Sequence, residues 1–351
     1  MKPINKLLII FMFISFTLFA QNKPYRLGTT AANFLEMGVG SAGNGMGDAY
    51  VSMAKDLSSI YWNPAGLGYM NHNEVQFSYQ PWVAVINIAF AGGAIVLPRV
   101  GTFAFGVTVM DYGSIDVTNM IMQEGTGETY SAQEMSACFS YGRKLAQWFS
   151  FGATGKYISS SIWHMSASAL ALDLGVVVNT PFISFTGNRK DGLDIGMSIS
   201  NYGTKMSYDG IDILNPIDIL PNEKGNYRDV EGKFTTSGWE LPLIFRIGVA
   251  LHPIVTTLHK LDIAIDALHP NNNAESINIG AQYKILIPGA GTFSLRCGYK
   301  SLFLDDATFG LTFGGGVYLN FMNNKTLQLD YAFKEVEFLG NTSTYTVGLT
   351  F

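Results

Sequence analysis

The feature that most constrains this chain is an alternation of apolar and polar residues in segments of about nine to fifteen residues from position 73 onward. Side chains on a β-strand point to its two faces in turn, so each such segment has one apolar and one polar face. A membrane-crossing helix instead needs about 20 consecutive apolar residues. Beyond residue 20, Gly, Ser, Asp or Asn interrupts every apolar stretch. The sequence therefore predicts strands and excludes transmembrane helices.

We count fourteen strands, and an even number is typical of bacterial single-chain barrels. The predicted strands cover residues 74–80, 86–97, 101–112, 134–145, 148–160, 166–179, 191–202, 241–252, 258–268, 274–287, 291–300, 306–319, 325–335 and 340–351.

The two faces of the predicted strands differ in a way that favours a membrane barrel. In the third strand, Phe103 and Phe105 share one face, while Thr102 and Gly106 share the other. A two-sheet sandwich would also alternate, but it would place charged residues in water rather than concentrate Gly and small polar residues opposite the apolar face. Only 14% of the residues are charged, against roughly 25% in soluble domains. We therefore predict an all-β fold, a fourteen-stranded antiparallel transmembrane β-barrel over residues 73–351.

The predicted connections alternate in length, as the turns and loops of outer-membrane barrels do. The long connections, 113–133 and 203–240, follow odd-numbered strands and are predicted to lie outside the cell. Most connections after even-numbered strands are short and are predicted to face the periplasm.

The amino terminus has the composition of a secretory signal peptide. Lys2 and Lys6 precede the apolar run 7–19, and Ala20 is a small residue suited to cleavage. We assign residues 1–20 to this peptide and expect the cell outer membrane as destination. The formal net charge of −5 makes nucleic acid an unexpected partner. Cys138 and Cys297 fall on opposite faces of distant strands and are not expected to form a disulfide.

Residues 21–72 do not alternate and are predicted to form an irregular plug inside the barrel. Eight strands enclose just enough room for their own side chains and sixteen leave an aqueous channel, so fourteen leave space to fill. Irregular backbone is tolerated at membrane depth where protein surrounds it. The Gly residues would permit close packing, and Asn63-Pro64 would force a turn.

Both ends of the chain resemble the PorV/PorQ family, which is similar to the long-chain fatty-acid transporters of outer membranes. At the amino-terminal end the resemblance lies in residues 38–50, Asp56 and residues 61–67. Later matches include Asp266, residues 269–272, Glu275, Arg296 and residues 330–333. The resemblance implies a fourteen-stranded barrel with a lumenal Asn-Pro-Ala-Gly turn. The predicted plug motif comprises Gly45, Gly47, Asp56, Trp62, Asn63, Pro64 and Gly66.

No constellation of residues indicates catalysis or a cofactor. The glycines at 43–47 lack the Gly-Lys-Ser/Thr ending and the preceding strand of a phosphate loop. A metal cluster of His269 with Asp262, Asp266 and Glu275 is disfavoured, because residues 269–273 have turn composition at the outer rim. We therefore predict no catalytic, cofactor or metal site.

Several charged residues fall on the polar, inward face, where they require partners. They are Lys156, Asp173, Asp194, Arg246, Asp262, Asp266, Arg296 and Asp330. We expect Arg296 to pair with Asp266 or Asp330, or with a plug carbonyl, as a structural clamp; a gating or ligand-binding role is the alternative.

The last predicted strand ends at Phe351, on the apolar face. We interpret this aromatic carboxy terminus as an assembly signal for outer-membrane insertion, which is compatible with a place in the aromatic belt of the interface.

Two functions are compatible with this sequence, besides a purely structural barrel. The resemblance implies a type IX secretion accessory barrel that binds the signal domains of secreted cargo through its long loops and assists their surface attachment. Its partners would be outer-membrane lipid, cargo proteins and other secretion components. The alternative is a channel for hydrophobic small molecules such as long-chain fatty acids. That function would require an apolar pocket between plug and barrel, near Phe34, Tyr61 and Trp62.

Overall fold

A computed structural model describes residues 26–225, 229–304, 307–321, 325–337 and 340–351. The predicted signal peptide, residues 1–20, lies outside the described residues. Within the described ranges, no helix is both long enough and apolar enough to cross a membrane.

The protein is a closed antiparallel β-barrel of fourteen strands. Its strands are β1 (Glu74–Pro81), β2 (Asn87–Leu97), β3 (Gly101–Asp116), β4 (Thr129–Ala146), β5 (Phe149–Ile162), β6 (Met165–Thr180), β7 (Leu193–Gly203), β8 (Ile244–Val255), β9 (His259–Pro270), β10 (Ser276–Ile287), β11 (Gly291–Leu302), β12 (Phe309–Phe321), β13 (Lys325–Val336) and β14 (Gly340–Thr350). Each strand pairs with its neighbours in the chain, and β1 pairs with β14, from Glu74 with Thr350 to Tyr79 with Tyr345, to close the ring. All fourteen predicted strands are confirmed.

The largest difference from the predicted strand bounds lies in β3 and β4. The two strands extend to Asp116 and back to Thr129, beyond the predicted ends at 112 and 134. Their register shifts between Asp111 and Ser114. A β-bulge adds a residue to one strand and so changes which face each later side chain occupies. The alternation therefore ends at the bulge although the strand continues.

The burial of side chains follows the predicted faces. Thr102 and Ala104 are buried, whereas the Phe105 side chain between two inward positions is 53% exposed. On β9, Asp262 and Asp266 are buried and Ile265 is exposed. Apolar side chains therefore cover the outside of the barrel, and the polar side chains face its lumen.

The connections confirm the two unlike ends of the barrel. At one end, the short-turn end, the described connections include 98–100, 147–148 and 256–258, with 181–192 the longest. At the other, the long-loop end, lie residues 117–128 and 204–243. The latter loop contains a two-stranded hairpin of Leu214–Ile217 paired with Val230–Lys233.

Residues 26–72, the N-terminal segment, contain only short helices. These are a 3₁₀ turn at Asn33–Glu36, α1 (Ser41–Gly45), α2 (Ser59–Trp62) and a 3₁₀ helix at Pro64–Tyr69. The apolar core lies between this segment and the inward faces of the strands. In one cluster Leu57 and Leu67 pack with Phe90 and Ala104.

Candidate functional site

The first half of the N-terminal segment is bonded to the inward faces of β12, β13 and β14. The Ser41 backbone N–H donates to Thr346 Oγ1 over 2.9 Å, and its hydroxyl donates to the Thr344 carbonyl over 2.9 Å. The Thr312 hydroxyl donates to the carbonyl of Gly45 over 3.2 Å. Helix α1 is thus held on the wall by polar contacts to both backbone and side chains.

Gly45 and Gly47 lie where the backbone of the N-terminal segment contacts the backbone of the barrel wall. A methyl group on Gly45 would lie 3.0 Å from Cα of Gly314. Gly47 has a φ of +65°, and a Cβ there would lie 2.7 Å from the backbone nitrogen of Tyr299. These two glycines of the predicted motif are therefore at points of closest approach to β11 and β12.

The Asn-Pro-Ala-Gly turn contacts the opposite side of the barrel. The Asn63 side-chain amide donates to the carbonyls of Val51, over 2.9 Å, and of Val176 on β6, over 3.1 Å. Its side-chain oxygen caps the following 3₁₀ helix by accepting from the Ala65 N–H over 3.1 Å. Pro64 lies against Gly152 of β5, where a Cβ would be 2.2 Å from the proline carbonyl. The turn therefore links the segment's own backbone to β5 and β6.

Trp62, Gly66 and Asp56 organise the interior of the segment. The fully buried Trp62 donates from Nε1 to the Val39 carbonyl over 3.0 Å. A Cβ on Gly66 would lie 2.0 Å from the Ala54 carbonyl oxygen. Asp56 Oδ1 accepts from the Ser58 N–H over 3.0 Å. Through these contacts the three motif residues hold the segment together internally, and Trp62 also belongs to an apolar cluster that includes Ala250 and Ala264 of the wall.

The predicted charge network divides into two sites. Arg296 Nη1 lies 2.6 Å from Asp330 Oδ1, and both side chains are buried. The remaining guanidinium nitrogens donate to Gln282 Oε1 and the Tyr318 hydroxyl, each over 2.7 Å. Asp266 is not part of this cluster.

Asp266 instead holds the N-terminal segment. Its Oδ2 accepts from the backbone N–H of Val51 over 2.8 Å. The Arg296 cluster therefore ties β10, β11, β12 and β13 to one another, while Asp266 ties β9 to the segment.

Sequence reasoning missed a second anchor, around Asp48. Lys300 Nζ lies 2.7 Å from Asp48 Oδ2, and Lys334 Nζ lies 3.0 Å from Oδ1. Burial raises the pKa of Asp48, but the two ammonium groups outweigh burial and hold this pKa below its usual range. Lys300 and Lys334 lie on the inward parity of β11 and β13, and that parity was the signal available in the sequence.

His252 is a second residue that the sequence analysis did not single out. Its Nε2 is 3.2 Å from Asp194 Oδ2, and its Nδ1 is bonded to Asp262. His252 also lies on inward parity, in the strand that carries Arg246. Two predicted inward carboxylates are thus joined through one imidazole near the short-turn end.

A cavity of about 660 Å³ opens at the long-loop end between the segment and β8 to β12. Tyr61 and Trp62 line it, together with the charged side chains of Asp48, Arg246 and Lys300. Phe34, also expected there, lines a separate and much smaller space. The larger cavity therefore has mixed polarity rather than a continuous apolar lining.

The remaining predicted positions lie apart from these sites. Phe351 is partly exposed, and its N–H donates to the Asn73 carbonyl over 3.0 Å at the short-turn end. His269 Nδ1 lies 3.0 Å from Glu275 Oε1 at the long-loop end. Cys138 is buried and Cys297 is exposed, and both are free thiols. Across the described part of the chain, no three His, Cys, Asp or Glu residues are grouped as a metal site.

The architecture is shared with solved outer-membrane channels. The Pseudomonas putida toluene transporter TodX has 13% identity and a TM-score of 0.52, with 89% of this chain and 97% of that one covered. The Ralstonia pickettii toluene transporter TbuX has 10% identity and a TM-score of 0.53, with coverage of 89% and 97%. A Pseudomonas aeruginosa FadL homologue has 10% identity and a TM-score of 0.50, with coverage of 94% and 99%. The fold is that of a FadL-like outer-membrane barrel.

A family model described as type IX secretion system protein PorV matches residues 20–219, more than half of the chain. The chain therefore belongs to the PorV family, and it is a protein of the outer membrane. No curated protein matches the sequence. The family and the similar structures are a secretion component, transporters and channels rather than enzymes.

Proposed function

We propose that this protein binds the signal domains of secreted cargo at the cell surface and assists their attachment, as a component of type IX secretion. The supporting observation is a set of exposed apolar side chains on the long loops of a PorV family member. Exposed apolar groups that cluster on a surface commonly mark protein interaction sites. The proposal assigns no catalytic role to any residue.

The exposed apolar groups come from both long loops. In the loop 117–128, Met120 and Ile121 are 94% and 91% exposed. The loop 204–243 exposes Ile211, Leu214, Ile217, Ile219, Leu220, Val230, Phe234 and Trp239. Its base is held in place, since the Ala31 N–H donates to the Glu240 carbonyl over 2.9 Å. A fixed base with an apolar tip suits a partner that docks from outside.

A deletion strain complemented with loop variants tests this proposal. We expect deletion to leave type IX cargo unattached, and Met120→Ser with Ile121→Ser to reduce both attachment and co-purification of cargo. Phe185→Ser is the matched control, because Phe185 is 81% exposed in the connection 181–192 at the opposite end. Normal surface attachment of cargo in the deletion strain would refute the proposed function.

The N-terminal segment, residues 21–72 in the predicted division, is proposed to plug the barrel of residues 73–351. Its described part bonds to β9 through Asp266, to β13 and β14 through Ser41, and to β6 through Asn63.

Single-channel conductance of the barrel tests whether the segment blocks it. Asp48→Ala removes the partner of Lys300 and Lys334 and should increase the frequency of open-pore events, whereas Asp229→Ala in the exposed loop should not. Equal conductance in both variants would contradict a plug held by Asp48.

A second candidate function is passage of hydrophobic small molecules, such as long-chain fatty acids. The observation in its favour is the cavity of about 660 Å³, which lies within the usual range of about 300 to 1,000 Å³ for ligand pockets. Native mass spectrometry with oleate would test it. Ala274→Trp fills the cavity lining and should abolish a bound oleate, while Ala290→Trp in a short turn should not. Absence of bound oleate in the unaltered protein would exclude this ligand.

A further inference from the structure

A second cleft opens at the short-turn end of the barrel, away from both the long loops and the cavity near Trp62. It measures about 640 Å³. Lys55 and Tyr69 of the N-terminal segment form one side, and β4 and β6 to β9 with their connections form the other. Because the short turns of outer-membrane barrels face the periplasm, this cleft is open to the periplasm.

The cleft is strongly basic. Five cationic side chains line it, and they are Lys55, Lys144, Arg189, Lys190 and Lys260. The carboxylate in the lining is Asp194, which is fully buried. Its oxygens are already occupied by Lys55 Nζ at 2.6 Å, by His252 Nε2 at 3.2 Å and by the Asn179 amide. Asp194 thus organises the floor of the cleft and does not neutralise its rim.

The five cations divide into two groups. Lys55 is paired with Asp194, and Lys260 Nζ lies 3.0 Å from Asp262 Oδ1. The other three, the rim cations, lack carboxylate partners. In the described ranges of the chain, no carboxylate lies within ion-pair distance of Lys144, Arg189 or Lys190, and all three side chains are exposed. Lys144 Nζ and Lys55 Nζ lie 4.8 and 5.0 Å from the centroid of the Tyr69 ring. Both ammonium groups are within cation–π range of the ring, so Tyr69 helps to hold one paired and one unpaired cation at the same side of the cleft.

Tyr69 adds an independent polar group to the same place. Its hydroxyl oxygen is buried and has no hydrogen-bond partner among the described residues. A buried hydroxyl without a partner is energetically costly. Because Tyr69 lines the cleft, its unsatisfied hydroxyl belongs to the wall of the proposed site.

The position and the shape of the cleft indicate which class of anionic ligand fits it. Asp194 and His252 are buried on the inward faces of β7 and β8, so the floor of the cleft lies inside the barrel rather than on its lipid-facing side. The cations are spread from β4 to β9 rather than directed at one point, which suits several separate negative charges. A volume of about 640 Å³ is also far larger than one oxyanion requires. We propose that this cleft binds an acidic peptide segment of a periplasmic protein.

The test uses the full-length protein in detergent and a fluorescein-labelled deca-glutamate peptide as the probe. We expect saturable binding that weakens as salt rises. The triple variant Lys144→Glu, Arg189→Glu and Lys190→Glu should weaken binding at least tenfold. The matched control, Lys205→Glu, Lys224→Glu and Lys233→Glu, changes the net charge equally at the long-loop end and should bind as the unaltered protein does. Heat-dependent mobility on gels verifies that both variants fold as barrels.

Three results would overturn the proposal. Equal peptide binding by the rim variant and the unaltered protein would show that the cleft is not the site, and equal loss in the control would show a general effect of charge. Inorganic phosphate provides the third arm. If millimolar phosphate displaces the peptide as effectively as unlabelled deca-glutamate does, the cleft is a small-anion site and the assignment to an acidic peptide is wrong. These results are independent of cargo binding at the long loops.

Discussion

At the scale of single residues, the contacts between the N-terminal segment and the wall leave no room for side chains at certain glycines. Gly47 combines a positive φ of +65° with backbone contact to Tyr299. Gly28 has a similar φ of +75°, but nothing lies within 4 Å of a Cβ added there. A comparison of substitutions at Gly47 and Gly28 therefore distinguishes the cost of backbone strain, which both positions share, from the cost of steric contact, which only Gly47 has.

We expect Gly47→Ala to destabilise the protein more than Gly28→Ala. A non-glycine residue in this region costs about 1 kcal/mol or more, a cost that both variants share. Only Gly47→Ala must also displace β11 from the segment. The free energy of unfolding in urea, followed by tryptophan fluorescence, measures the difference. Equal losses in the two variants would show that the close approach to Tyr299 contributes nothing.

Arg296 provides a second test at this scale, because its charge is buried beside Asp330. Arg296→Met leaves the Asp330 carboxylate buried and unpaired, and the loss of one partner of a buried pair costs about 3 to 5 kcal/mol. The double variant Arg296→Met with Asp330→Leu should recover much of that loss in the same unfolding measurement. A double variant no more stable than the single one would mean that Gln282 and Tyr318, rather than the ion pair, determine the role of Arg296.

At the scale of strands and turns, the sequence predicted the regular elements and missed the irregular ones. All fourteen strands were predicted because alternation depends only on which face is apolar. The end of β3 was missed because the bulge after Asp111 changes the parity. In the lumen, parity identified Arg296 and Asp330 as inward. Asp266 and Asp330 were both expected as partners of Arg296, and the structure pairs it with Asp330, two strands along the barrel wall. The pairing of Asp48 with Lys300 and Lys334 depends instead on how a non-repeating segment folds, which no periodic pattern specifies.

The connection between β6 and β7 shows how one side chain orders an element. Asp191 accepts hydrogen bonds from the Phe185 and Thr186 backbone N–H groups, over 3.0 and 2.9 Å, and from the Ser184 and Thr186 hydroxyls. Burial raises the pKa of Asp191, but the hydrogen bonds from Thr186 and Ser184 outweigh it and bring the pKa to about 2. The ionised carboxylate therefore stabilises this turn.

The lowered pKa of Asp191 predicts a pH dependence. Its stabilisation is complete above the unfolded pKa of about 3.9 and is lost as the pH falls through the folded value of about 2. At pH 3, about midway between the two values, we expect the Phe185 and Thr186 amides to keep part of their protection against hydrogen exchange, and to lose the rest below about pH 2. Asp191→Asn should lose this protection already at pH 7, whereas Asn188→Ala in the same turn should keep it. Loss of protection in the unaltered protein near pH 4 would contradict the lowered pKa.

At the scale of the whole molecule, the low charge content and the closed ring of strands both follow from a barrel whose outer face is apolar. Apolar side chains cover the outside of the ring while buried charges pair inside it, as Lys156 and Asp173 do at 2.6 Å. The long-loop end exposes apolar groups, and the short-turn end presents a basic cleft. The two ends therefore present chemically different surfaces, separated by a barrel wall that contacts lipid.

The lipid contact itself can be tested with an arginine placed on the outer face. Phe105 lies on the outward face of β3, opposite Phe139 of β4, in the part of the strand that crosses the membrane. Phe105→Arg should cost about 2 to 4 kcal/mol in lipid, because Arg near the bilayer midplane is poorly solvated. Ile121→Arg in the exposed loop should cost little. Folding free energies measured by urea titration in phospholipid vesicles compare the two variants. If Phe105→Arg were as stable in vesicles as Ile121→Arg, the outward face of β3 would lie in water, and the position of the barrel in the membrane would have to be revised.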